Sequence, residues 1–472
     1  MQAQFDFGMV GLGVMGSNLL LNLADHGFAV IGHDLKAERC KALEDAASEG
    51  TTVKGVTDLK LMVSALKQPR KIMMLVPAGS PVDAVINSLK PFVEDGDILV
   101  DAGNSFYSDT LRRVQELKEH RIHFFGMGIS GGEFGARLGP SMMPGGDREA
   151  YEHLKPLLEA VAAKADGVPC VAYMGTGAAG HYVKMVHNGI EYAMMQAIAE
   201  VYALLSTGAG LDNEALHATF LRWNKGQLQS FLIHITATIF NTRDEDSNEF
   251  LVDVILDQAG SKGTGKWTSQ EALNLPVPIP TIDAAVAART LSGLKAERAK
   301  AAELYKHAPS RIAVSEDELL NKVENALAFC FVVAYAQGLN MIARASDELG
   351  MDIPLPSVIQ VWKAGCIIRS ALLGRFSSAY QRNGKLTNLL LDAEIAELLK
   401  EKEDDFRSVV AIAVQAKISM PCMMSALAYF DSYCTERMPT NLIQAQRDYF
   451  GAHTYERVDR AGVFHTEWHS GM

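Results

Sequence analysis

Residues 184–192 read KMVHNGIEY, which sets a base, an imidazole, an amide and an acid within two helical turns. Lys184, His187, Asn188 and Glu191 are three, one and three residues apart, so a helix turning roughly 100° per residue gathers them within an arc of about 100°. These are the groups of acid-base chemistry, although a solvated polar face would also carry them. Tyr182, Val183, Met185, Ile190 and Met194 surround the stripe with bulk suited to burial, and buried polar groups at this density need partners or a task.

Other stretches offer binding groups. GLGVMG, residues 11–16, follows an apolar run from Phe5 and opens the amphipathic stretch SNLLLNLADHG. Strand, glycines and helix in this order form the dinucleotide fingerprint. Gly11 permits the tight turn, Gly13 lets a diphosphate approach backbone, and Gly16 lets helix pack on strand. The next strand, FAVIGHD, ends in Asp34, where the fingerprint expects an acid to accept bonds from ribose hydroxyls. That carboxylate would repel a 2′-phosphate, with Lys36 partly offsetting it, which favours NAD over NADP. DAGNS (101–105) and GMGISGGEFGAR (126–137) end later strands, so Asn104, Ser130, Gly131 and Gly132 fall near a bound nicotinamide.

AGSKGTGKWT, residues 259–268, approaches a P-loop, but Trp267 stands where a hydroxyl should meet magnesium. It still offers Lys262, Thr264, Lys266 and glycine N–H groups to a phosphate. Arg447 and His453 lie in QRDYFGAHTYE near the carboxyl end.

The elements that must position these groups fall into distinct regions. The strand candidates FDFGMV, FAVIGHD, KIMMLVP, DILVDAG, IHFFGMG and VPCVAYMG alternate with helical stretches, as in a mostly parallel α/β sheet. After about residue 177 the chain turns to long helical runs, such as EYAMMQAIAEVYALL and ALAFCFVVAYAQGLNMIARA. From about Met438 a tail with little apolar periodicity follows, to be frayed or docked. A length of 472 residues with 48% hydrophobic content suits two or three soluble domains. The net charge of −12 argues against nucleic acid or an anionic membrane as partner, so an anionic ligand needs a local cluster of cations. Six cysteines without a CxxC pair read as reduced thiols, and no leader or long apolar run is apparent; a cytoplasmic protein is expected.

In order along the chain, GLGVMG, DAGNS, ISGGEFGAR, GPSMMPGG, KMVHNGIEY, GSKGTGKWT, GCIIRS and QAQRDYFGAHTYE resemble the motifs of the 6-phosphogluconate dehydrogenase family. The resemblance spans essentially the whole length. It implies a Rossmann-like α/β domain (1–177), a large all-helical substrate and dimerisation domain (178–437), and a C-terminal tail (438–472) that reaches the partner in a homodimer with shared active sites. The implied reaction is oxidative decarboxylation of 6-phosphogluconate to ribulose 5-phosphate and CO2 in the pentose phosphate pathway, with NAD(P) reduced and no metal required. Lys184 is then the base and Glu191 the acid that protonates the product carbon.

The resemblance also distributes the binding groups. Asn104, Ser130, Gly131, Gly132, His187 and Asn188 would hold the substrate's carboxylate and hydroxyls. Tyr192, Lys262, Thr264, Arg289 and Arg447 of the partner would hold its phosphate, and the partner's His453 would help complete the site. Gly11, Leu12, Gly13, Val14, Met15, Gly16, Asp34, Lys36, Val76 and Asn104 would face the cofactor. NADP is the usual family cofactor, yet Asp34, Leu35 and Lys36 replace the family's Asn-Arg-Thr, so NAD is expected to serve at least as well. The rival readings are a β-hydroxyacid dehydrogenase that releases no CO2, a P-loop-like phosphoryl-transfer enzyme, which Trp267 opposes, and a catalytically dead nucleotide-sensing module, which Lys184 and Glu191 oppose.

Overall fold

The structure, a computed structural model, describes residues 4–468. Seven strands form one sheet: β1 (Phe7–Val10), β2 (Val30–His33), β3 (Val53–Val56), β4 (Lys71–Met74), β5 (Ile98–Asp101), β6 (His123–Ser130) and β7 (Ser141–Gly145). Their order is β3-β2-β1-β4-β5-β6-β7, parallel throughout except for the antiparallel pair β6 and β7. β1, β2 and β5 are buried along their whole length, which is why they read as apolar runs rather than alternating ones. The order reverses between β1 and β4, the switch point that leaves a crevice outside the strand ends.

Three elements depart from the sequence expectation. β3 is a half-exposed VKGV, and β7 contains Pro144 and Gly145, so neither carries a strand signature. The expected strand VPCVAYMG instead contributes Val168–Pro169 to a hairpin with Lys164–Ala165, and one bridge from Val171 to Met142. Pro169 has no N–H to extend a ladder.

Beyond Gly177 the chain is helical as far as the tail. Helix Glu316–Glu348 is long and apolar enough to cross a membrane, but the apolar stretch is 89% buried among other helices and forms the centre of this region's core. Helix Ala179–Ala203 packs on it and also on the sheet. Contact with the sheet is close. A Cβ at Gly128 would lie 2.3 Å from the Lys184 Cβ, and one at Gly180 would lie 2.2 Å from the Gly126 carbonyl oxygen. Only glycine permits that approach.

The other end of the same helix is tied by Glu200. This buried carboxylate accepts the N–H groups of Cys422 (2.8 Å) and Met423 (2.9 Å) and the Gln196 amide (2.9 Å). It thereby caps helix Pro421–Tyr433, whose own N-cap Met420 supplies no side-chain bond.

The described part of the tail, residues 438–468, is ordered. Helix Thr440–Gly451 leads to a hairpin of Tyr455–Glu456 with Val463–Phe464. Buried Asp448 joins the two, accepting from the Thr454 and Thr466 N–H groups and the Trp468 indole, with His465 Nδ1 at 2.8 Å.

Burial raises the Glu200 pKa to about 7, against the pull of its hydrogen bonds. A folded value above the unfolded one favours the protonated form, so this stability is full at low pH and is lost as pH rises through about 7. Wild-type Tm should therefore fall between pH 5 and pH 8, roughly, by more than that of Glu200→Gln. Parallel Tm profiles would remove Glu200 as the source.

Candidate active site

The crevice beside β1 and β4 is built from glycine backbone. Gly11 has φ +98°, and a Cβ there would lie 2.5 Å from the Leu75 carbonyl oxygen. At Gly16 a Cβ would lie 2.0 Å from the Gly11 carbonyl oxygen, whereas at Gly13 it would meet nothing within 4 Å. The turn thus falls on Gly11, the open phosphate approach on Gly13 and the close packing on Gly16. Gly13 caps helix Val14–Asp25 without a side-chain bond, leaving first-turn N–H groups for an anion. A cleft of about 910 Å³ extends from here past Asp34, Arg39 and Val76, room for a dinucleotide's adenosine half. Leu12 and Met15 turn inward against the sheet, and Val14 stays exposed. The residues present fit a dinucleotide.

Asp34 is already engaged. Its carboxylate accepts the Leu12 N–H (2.9 Å), the Lys36 N–H (3.0 Å) and Arg39 Nη1 (3.2 Å). Burial works to raise its pKa, but these donors win and hold it below the usual carboxylate value. Lys36 was expected to offset this charge, yet it does so through its backbone while its side chain is exposed. The cation beside Asp34 is Arg39, one turn into helix Ala37–Asp45. Its position one turn further on hid it from a motif reading.

The loop after β5 is fixed by a buried carboxylate. Asp101 accepts the Gly103 N–H (3.0 Å) and the Ser105 hydroxyl (2.6 Å), and Arg113 Nη1 lies 3.4 Å away. Asn104 projects from this clamp and is exposed. At the end of β6, Gly131 and Gly132 both have positive φ and open helix Gly132–Leu138. A Cβ at Gly131 would lie 2.5 Å from the Gly365 carbonyl oxygen, so GCIIRS closes one wall of the site. Ile367 N–H reaches the Ser130 hydroxyl at 3.4 Å. That wall carried no role in the sequence reading, because nothing local in GCIIRS distinguishes it from a turn.

The stripe of helix Ala179–Ala203 faces these strand ends. Lys184 Nζ lies 3.4 Å from His187 Nδ1, which is 3.0 Å from Asn188 Oδ1 and 3.7 Å from the Glu191 carboxylate. Ser130 Oγ sits 3.3 Å from His187 Nε2, and the Trp362 ring meets the imidazole edge-on. Burial lowers the Lys184 pKa, with Glu191 and Cys366 opposing. Burial raises the Glu191 pKa, with Lys184 and Arg289 opposing. His187, wholly buried beside Lys184, is held well below its ordinary value and is neutral.

A second wall comes from helix Thr264–Asn274. Gly263, with φ +98°, caps it without a side-chain bond. Thr264 Oγ1 accepts from Asn188 Nδ2 at 3.1 Å, and a Cβ at Gly265 would strike the Tyr192 ring. The Arg289 guanidinium lies 3.5 Å over that same ring. Lys262 is exposed just before the cap. The Trp267 ring packs 5.1 Å from Phe106, so the position of a P-loop hydroxyl is given to aromatic packing. Among the described residues no cluster of three or more His, Cys, Asp or Glu could hold a metal.

Arg447 and His453 are not brought to this site within one chain. Both are exposed; Arg447 bonds Gln444, and His453 packs near Phe450.

A Rossmann-type cradle whose strand ends meet a buried lysine and a carboxyl group defines the nicotinamide-dependent dehydrogenases as the class. Two family models cover the chain: the NAD binding domain of 6-phosphogluconate dehydrogenase over residues 6–175 and the C-terminal domain of that enzyme over 180–468. The decarboxylating enzyme of Lactococcus lactis is 47% identical over 99% of both chains. The NADP(+)-dependent decarboxylating enzyme of Bacillus subtilis is 48% identical over 98% of both. The solved Plasmodium falciparum enzyme, studied with NADP+ and with 6-phosphogluconate, is 41% identical and superposes with TM-score 0.95 over 98% of this chain and 100% of that one. The chain belongs to the 6-phosphogluconate dehydrogenase family.

Gly128→Ala should displace Lys184 and lower kcat by about a hundredfold, as small misplacements of a reacting group do, with cofactor Kd unchanged. A variant of near-normal kcat would show that the close approach does not set the lysine's position.

Proposed function

We propose that this chain oxidises 6-phosphogluconate at C3 and releases its carboxylate as CO2, giving ribulose 5-phosphate with reduction of NAD or NADP. The observation that carries this reading is the buried Lys184, its pKa lowered, on one helix face with Glu191, its pKa raised. The nicotinamide, when bound, accepts the hydride from C3. Neutral Lys184 takes the C3 hydroxyl proton, so the carbon becomes a ketone β to the carboxylate. Protonated Lys184 then donates that proton to the carbonyl oxygen while the bond to the carboxylate breaks, its electron pair forming the carbon–carbon double bond of an enediol and CO2 leaving. Glu191, whose pKa burial raises toward the protonated form, donates its proton to the carbon that lost CO2, which becomes C1 of the product. The enediol hydroxyl returns its proton to Lys184 as the product ketone forms, and passage of that proton from Lys184 to Glu191 restores both groups.

Asn104, Ser130, Gly131, Gly132, His187 and Asn188 hold the carboxylate and hydroxyls. Tyr192, Lys262, Thr264 and Arg289 hold the phosphate, joined by Arg447 of a second copy, whose His453 helps complete the site. The functional units are 1–177 for the nucleotide, 178–437 for substrate and dimerisation, and 438–472 as the arm that reaches the partner subunit. Supporting the arm's role, Leu442, Ile443 and Phe450 expose most of their apolar surface beside Arg447, as a segment that docks elsewhere would.

NAD serves at least as well as NADP. Asp34 supports this, because a 2′-phosphate would meet a carboxylate held ionised by three donors. Arg39 is the cation in ion-pair contact with Asp34 that could oppose it, and it is already paired.

Incubation with 6-phosphogluconate should yield one CO2 per reduced cofactor, with kcat/KM for NAD equal to or above that for NADP. Reduction without CO2 would favour a β-hydroxyacid dehydrogenase, absence of reduction would remove the reading, and a strong NADP preference would refute the role of Asp34. Lys184→Met and Arg447→Ala should each be nearly inactive alone, the second through a raised KM for substrate. Mixed dimers of the two should regain activity, because one of their two sites is intact; verified mixed dimers without activity would argue against shared sites.

A further inference from the structure

Two half-buried arginines in this chain lie over an aromatic ring without a carboxylate within ion-pair distance among the described residues. One is Arg289 over Tyr192; the other is Arg369, 3.9 Å over Phe231. By contrast the more deeply buried Arg70 and Arg113 each pair with aspartate. A partly desolvated guanidinium left without an anion calls for one from outside.

Arg369 opens onto a pocket of about 400 Å³, lined also by Asn224, Ser230, His234, Lys363 and Ser370. No acidic side chain lines it, although acidic residues outnumber Lys and Arg by 56 to 44 in the chain. Lys363 ends helix Leu355–Trp362 and is likewise unpaired among the described residues. The base of the pocket is stiff: Ser230 and Ser370 form an antiparallel bridge, Phe231 N–H donates to the Arg369 carbonyl at 3.1 Å, and Ala371 N–H to that of Gln229 at 2.9 Å. Helices Phe231–Phe240 and Leu372–Arg382 both begin here, adding the positive ends of their dipoles. Arg369 also donates to the Cys366 carbonyl at 2.6 Å, which fixes the fork while leaving donors free.

We propose that this pocket is a second anion site, separate from the one at Arg289, which takes the phosphate group of a small phosphorylated metabolite. Lys363 supplies a point charge, Arg369 a planar fork, and the serine hydroxyls and Asn224 amide complete the shell. The volume exceeds what one phosphate fills, so an ester substituent is accommodated.

Calorimetric titration of the intact protein with inorganic phosphate and with glycerol phosphate tests this. K363Q/R369Q should lose one phosphate per chain relative to wild type, or bind it at least about tenfold more weakly, as loss of a charge-assisted bond implies. K262Q/R289Q should keep that same phosphate. Glycerol phosphate should bind the retained site at least as tightly as inorganic phosphate; clearly weaker binding would refute an ester ligand and leave free phosphate as the occupant. Unchanged stoichiometry and affinity in K363Q/R369Q would overturn the proposal. Should the double variant fail to fold, K363Q alone removes an unpaired, partly exposed lysine, and unaltered binding in it would overturn the proposal equally.

Discussion

The site depends on how near helix Ala179–Ala203 lies to the sheet. A side chain on β6 at Gly128 would occupy the space of the Lys184 stem, and a side chain at Gly180 would collide with the backbone of that strand. Because the helix lies in this groove, its polar stripe is enclosed by strand ends on one side and by GCIIRS on another. Enclosure removes water from Lys184 and Glu191, and loss of water shifts both groups toward their neutral forms. One packing distance thus sets both the position and the protonation of the reacting groups.

The same helix serves as a beam. Its first turns face the nucleotide domain, its middle carries the reactive stripe, and Glu200 near its end caps a helix more than two hundred residues later in sequence. Thr268 adds a cross-tie by donating to the Met185 carbonyl at 2.9 Å, where Gly189 lets the neighbouring helix close in. Arg289 lies over the Tyr192 ring and within electrostatic reach of Glu191, so an acidic chain presents positive charge there without a basic surface.

Much of this was legible from residues alone. The glycine fingerprint, the strand ends at Asn104 and Ser130, and the helical stripe announce themselves through local spacing, and the structure sets Ser130 3.3 Å from His187 on that stripe. Arg39 was not legible, since its meeting with Asp34 depends on where the helix after β2 begins. Gly128 was not legible either, because its significance lies in a contact with a residue 56 positions away. β3 and β7 were missed because pairing, rather than composition, makes them strands. Arg447 and His453 stand apart in a single chain, and only the family resemblance connects them to the stripe.

The tail carries a consequence of its own. A single carboxylate on the helix, Asp448, gathers two backbone N–H groups, an indole and an imidazole from residues that flank the hairpin. Helix and hairpin are therefore fastened to each other by bonds internal to the segment, before any other surface is met. A surface that received this hook would meet a shape already set, so little ordering entropy would oppose the encounter. Joining would then be governed by diffusion and orientation of a preformed piece, and not by a chain that must fold as it binds.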